Sequence, residues 1–152
     1  MARNKAGFPV VFTDAVTLNS GATAAITSAE IDTVQNGVKY RYIEIYIRMG
    51  TIASGGALTV CKLQSASANG GSYSDVTGAA ITADAISNSN SSSDTTSVIR
   101  VDLQNANADR HLQMVISTDD SANSAIDFVT GVLSDGEKSP PADSNFEVVV
   151  DI

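Results

Sequence analysis

The chain has 152 residues, enough for one domain with a buried core, and nine Lys and Arg against seventeen Asp and Glu leave a net charge of −8. A pI near 4.3 argues against general nucleic-acid binding, which needs basic surface. One cysteine excludes an internal disulfide, a single histidine excludes a multi-histidine metal site, and the absence of Trp removes the indole platform common on sugar-binding surfaces.

The opening, MARNKAGFPVVFTDA, is polar and carries Arg3 and Lys5 but no apolar h-region, so no signal peptide is expected. Residues 1–8 read as a flexible N-terminal arm and 9–152 as one β-sandwich domain. Pro9–Leu18 is the first predicted strand and Ala24–Ile26 a short second; Ser28–Asp32 has the composition of a single helical turn. Tyr40–Met49, YRYIEIYIRM, carries the clearest signal. Ile43, Ile45, Ile47 and Met49 fall on one face, and Tyr40, Tyr42, Glu44, Tyr46 and Arg48 on the other. That period of two marks a half-buried strand. Tyr and Arg are enriched where proteins meet, so the second face is either a contact surface or a tyrosine ladder packed under a neighbouring loop.

Ala57–Gln64 is a further strand, with Cys61 on the face opposite Leu58 and Val60. Asn69-Gly70-Gly71 signals a turn, and Ser72–Val76 returns from it. Ile81–Ile86 is a weaker strand. Ser87–Thr96 is a low-complexity polar loop. Ser97–Leu103 alternates Ile99, Val101 and Leu103 against Val98, Arg100 and Asp102, and Leu103–Asp109 could form one helical turn. His111–Ser117 alternates Leu112, Met114 and Ile116 against His111, Gln113 and Val115. Ile126–Leu133 and Phe146–Ile152 complete the set, joined by an extended surface connection over Ser134–Asn145 that contains Pro140-Pro141. Eight or nine short strands predict an all-β, antiparallel β-sandwich, with a jelly roll as the expected form. Its core should hold Ile43, Ile45, Ile47, Ile99, Val101, Leu103, Leu112, Met114 and Ile116.

Charge is unevenly distributed. Residues 1–63 hold six basic residues and four acids, while 64–152 hold three basic residues and thirteen acids. This suits either two surfaces with different neighbours or acidic loops that keep a β protein soluble. Chemistry-bearing patterns are sparse. Cys61 reads as a small buried hydrophobe, and His111 as a hydrogen-bonded rim residue rather than a base. Asp119, Asp120 and Asp127 lack calcium-loop spacing. No Gly-rich phosphate loop occurs. No catalytic set, cofactor or metal is expected, nor any membrane span, so the chain does not read as an enzyme.

The stretch Leu58–Thr77, LTVCKLQSASANGGSYSDVT, resembles a hairpin of small structural proteins from tailed phages: an apolar strand ending in Leu63-Gln64, a Ser/Asn/Gly-rich turn over Ser65–Ser72, an aromatic at Tyr73, then Ser74-Asp75-Val76. The aromatic is often Trp in such hairpins. YRYIEIYIRM resembles the strand before that hairpin and HLQMVIS the later return strand, so the likeness covers about 40–116. It implies a jelly-roll-like capsid decoration (cement) protein on the outside of a phage head, a homotrimer whose partner is the major capsid protein. Arg3, Lys5, Phe8, Tyr40, Tyr42, Tyr46 and Arg48 are the candidate oligomer or capsid contacts. The arm with Arg3 and Lys5 could pair with acidic capsid surface or be an ordinary frayed terminus. The alternative function is a carbohydrate-binding or host-recognition module on a phage tail or fibre.

Overall fold

The computed structural model describes residues 7–14, 16–18, 26–52, 55–83, 85–87, 95–119, 124–135 and 149–152. These form thirteen strands: β1 (Phe8–Thr13), β2 (Val16–Leu18), β3 (Ile26–Thr27), β4 (Ile31–Asp32), β5 (Val34–Gln35), β6 (Val38–Lys39), β7 (Tyr42–Met49), β8 (Ala57–Ala66), β9 (Ser74–Ile81), β10 (Thr95–Asp102), β11 (His111–Asp119), β12 (Ser124–Ser134) and β13 (Val149–Asp151). No helix occurs among the described residues.

One sheet runs β1-β12-β7-β10-β13, with β2 also on β12. A second runs β3-β11-β8-β9, with β4 also on β11, and β5 and β6 form a separate two-stranded sheet. Counting β3 and β4 as one broken strand and setting aside β2, β5, β6 and β13, eight principal strands remain. Their order is 1-8-3-6 in the first sheet and 2-7-4-5 in the second. First pairs with eighth, second with seventh, third with sixth and fourth with fifth. This is one long hairpin rolled up until the third strand meets the eighth and the fourth meets the seventh, the winding of a jelly roll. The sandwich is all-β as the sequence predicts. It departs from a purely antiparallel sheet at one place, where β13 pairs with β10 in parallel.

The alternation along Tyr42–Met49 dictates the packing. Ile43, Ile45, Ile47 and Met49 are fully buried, and the residues between them are half-buried. Ile99 and Val101 from β10, Leu103 just beyond it, and Leu112, Met114 and Ile116 from β11 are also buried, so all nine predicted core residues lie inside. They join Val10, Phe12, Leu58, Leu63 and Leu133 in one cluster.

Local departures from the expected elements have physical causes. Pro9–Leu18 is divided into β1 and β2, with a register shift at Val11/Thr13. Ser28–Asp32 does not make a helical turn: the Ser28 Oγ accepts from the Met114 N–H at 2.8 Å and Ile31–Asp32 pairs with β11. The turn at 103–107 is helix-like, with Ala106 N–H donating to Asp102 O at 2.9 Å. Ile81–Ile86 is not a separate strand; Ile81 ends β9, and a single bridge joins Ser87 to Ala57. Cys61 faces the same core as Leu58, because an irregularity at Ser117/Thr118 opposite Val60 and Leu58 shifts the alternation by one residue. Phe8 belongs to β1 rather than to an arm.

Candidate functional site

The first candidate surface is the outer side of the β1-β12-β7 half of the larger sheet. Tyr42, Glu44, Tyr46 and Arg48 project there from β7 because their neighbours in sequence fill the core. Register sets Thr130 beside Tyr46, Val132 beside Glu44 and Phe128 beside Arg48. On β1, Val11 is 53% exposed, the most exposed large apolar side chain described. The Tyr46 hydroxyl donates to Glu44 Oε2 at 2.7 Å. Burial, followed by the Glu44 hydrogen bond and charge, pushes that phenol up to about 12, so it stays a neutral donor. Arg48 Nε pairs with Asp127 at 3.3 Å, and Arg41 lies 4.9 Å over the Tyr42 ring. Half-buried aromatics and internally paired charges leave this face amphipathic.

The outer side of the other sheet differs. Lys62 and Gln64 both donate to Asp75, at 2.8 and 2.7 Å, and Gln113 donates to Gln64 at 2.9 Å. This polar row is suited to water.

The predicted contact residues do not form one group. Tyr42, Tyr46 and Arg48 share the outer face of β7. Tyr40 precedes the strand and donates its N–H to Thr33 O at 3.0 Å. Its ring packs against Phe8 with centroids 6.2 Å apart, and both rings lie against the edge of the core. The strict alternation that placed Tyr40 with Tyr42 fails because β7 begins only at Tyr42. Arg3, Lys5, Asp120 and Pro140-Pro141 lie outside the described residues.

A second cluster gave no signal in the sequence. Glu30 accepts from the Asn69 side chain, the Gly70 N–H at 2.9 Å and the Tyr73 hydroxyl, and lies 3.0 Å from His111 Nδ1. The Gly70 and Tyr73 hydrogen bonds hold its carboxyl below the usual range, and Tyr73 is pushed up by burial and by Glu30. Next to it, Asp32 takes a two-pronged pair from Arg110 at 2.8 and 2.6 Å, which lowers it to about 2. These residues come from three separate segments, 30–32, 69–73 and 110–111, so His111, Tyr73 and the Asn-Gly-Gly turn were visible singly but their meeting was not. His111 is 8% exposed and engaged with Glu30. Cys61 is buried among core side chains, with its thiol pushed up to about 12 by burial alone. Among the described residues, no three His, Cys, Asp or Glu side chains cluster as metal ligands, and no helix is long and apolar enough to cross a membrane.

No family model matches the chain, and no curated protein matches it significantly. Two solved structures share the fold. A crystal structure of the PBSX exported protein XepA aligns over 93% of this chain and 42% of its own, with a TM-score of 0.51 at 9% identity. A structure of infectious bursal disease virus, Gt strain, aligns over 88% of this chain and 34% of its own, with a TM-score of 0.53 at 15% identity. The chain therefore spans less than half the length of either.

Proposed function

We propose that this chain is a structural virion protein of the capsid-decoration kind, seated on the outside of a phage head as a trimer and bridging neighbouring major capsid subunits. The observation that carries the proposal is the contrast between the two sheets, amphipathic outside β7 and polar outside β8. A staple across subunit junctions needs area and complementarity rather than reactive groups. It stabilises the assembled shell because it binds that state and not the separated subunits. The amphipathic face supplies aromatic and Arg anchors of the type that dominate protein interfaces. The Leu58–Thr77 hairpin resemblance and the jelly roll shared with a virus structure support the same reading.

The test is titration of the full chain onto expanded, undecorated heads beside tails and glycans. Saturable head binding that raises the head melting temperature is expected, weakened by Tyr42→Ala with Arg48→Ala. Light scattering should report a trimer at micromolar concentration. Binding to tails or glycans with none to heads would replace this reading with the host-recognition alternative.

A further inference from the structure

We infer that one end of the sandwich carries a groove for a neutral oligosaccharide. It has a volume of about 620 Å³ and is formed by the β6–β7 junction, the 103–109 turn and the end of β12. That size lies within the range of small-molecule sites. It is separate from the outer face of β7 and does not depend on the head-binding proposal, since it is measured on the isolated protein.

Backbone and side-chain hydrogen bonds fix the walls. Tyr40 is tied to Thr33 at 3.0 Å, Arg41 N–H to Ser134 O at 3.2 Å and Leu103 N–H to Arg41 O at 2.9 Å. Asp102 accepts from the N–H groups of Gln104 and Asn105 at 3.1 and 3.2 Å while binding Arg41 at 2.7 Å. Asp109 N–H donates to Ser65 Oγ at 3.1 Å. A groove held this way loses little entropy on binding.

Its chemistry points to polyhydroxyl ligands. Leu103, Ala108 and the half-buried Tyr40 ring give an apolar side, and Phe8 backs that ring. Exposed Gln104 and Asn107 offer amides that both donate and accept, as vicinal hydroxyls require. Asn107 is held there in a left-handed backbone conformation, φ 51°. The lining carries Lys39 and Arg41 against Asp109 and Asp135; with Arg41 held by Asp102 one negative charge is left over, so an anionic ligand is disfavoured and the amides select for hydroxyls.

The experiment is amide-shift mapping of the full chain by NMR, titrated separately with lactose, maltose, cellobiose and chitobiose at millimolar concentrations. At least one should shift the Gln104, Asn107 and Ala108 amides saturably. Gln104→Ala, at an exposed position, should weaken that binding by about tenfold, a change worth about 1.4 kcal/mol, and Tyr40→Ala by more. Val11→Ser, on the remote face, should leave it unchanged. Should Tyr40→Ala unfold the chain, Gln104→Ala decides. No saturable shift with any of the four sugars, shifts confined to other surfaces, or binding indifferent to Gln104→Ala would overturn the inference.

Discussion

At the scale of single residues, carboxylates do much of the fastening. Asp32 has its pKa depressed to about 2, chiefly by the Arg110 hydrogen bonds. A group lowered on folding stabilises the fold above its unfolded pKa and loses that contribution as pH falls toward the folded one. Glu30, Asp75 and Asp102 are shifted in the same direction. Melting temperature should therefore fall as pH drops from about 5 to 2. Asp32→Asn should cost about 1 kcal/mol or less at pH 7, because Arg110 is half exposed. The difference from wild type should shrink toward pH 2; a difference that is constant across the range would contradict the Asp32 account. Ile45 lies at the opposite extreme, with no exposure. Ile45→Ala should cost about 2–5 kcal/mol in chemical denaturation, and Ile45→Asp should prevent folding, since it would bury an unpaired charge. Ile45 was legible because alternation within eight residues identifies a core face. Glu30 was not, because its partners lie 39 to 81 residues away in the sequence.

At the scale of elements, bulges explain much of what patterning misread. The irregularity in β8 turns Cys61 into the core beside Leu58, although simple alternation puts them on opposite faces. Ellman's reagent at pH 8 should leave the native thiol unmodified and titrate one thiol per chain in denaturant. Rapid reaction of the folded protein would show that Cys61 is accessible. In β9, pairing is irregular between Asp75 and Ala80. Gly78 sits within that stretch at φ +83°, and an added Cβ would lie 2.9 Å from Ile152 Cγ2. Gly78→Ala should destabilise the chain by about 1 kcal/mol or more through both effects, and hydrogen exchange should rise along β9 and β13. β13 itself was visible as a strand, but not its direction, because a parallel partner across a long connection leaves no local trace. The short β4, β5 and β6 were missed for a related reason: each is two residues long, too short to show a period.

At the scale of the molecule, the rolled hairpin places Phe8 opposite Leu133 and Val101 opposite Ile43. Such non-local pairing predicts folding in milliseconds to seconds rather than microseconds, checked by stopped-flow refolding. The same roll turns one amphipathic and one polar face outward, and the proposed function rests on that difference. Composition and alternation made the sandwich readable, but which face stays amphipathic depends on cross-strand neighbours such as Thr130 and Val132, fixed only once β12 lies against β7. Cryo-electron microscopy of expanded heads saturated with the full chain tests the central claim most directly. It should show added trimeric density over subunit junctions, with the outer face of β7 turned toward the shell and the polar face of β8 toward solvent. Bare heads at saturating protein, or density on tails alone, would contradict it.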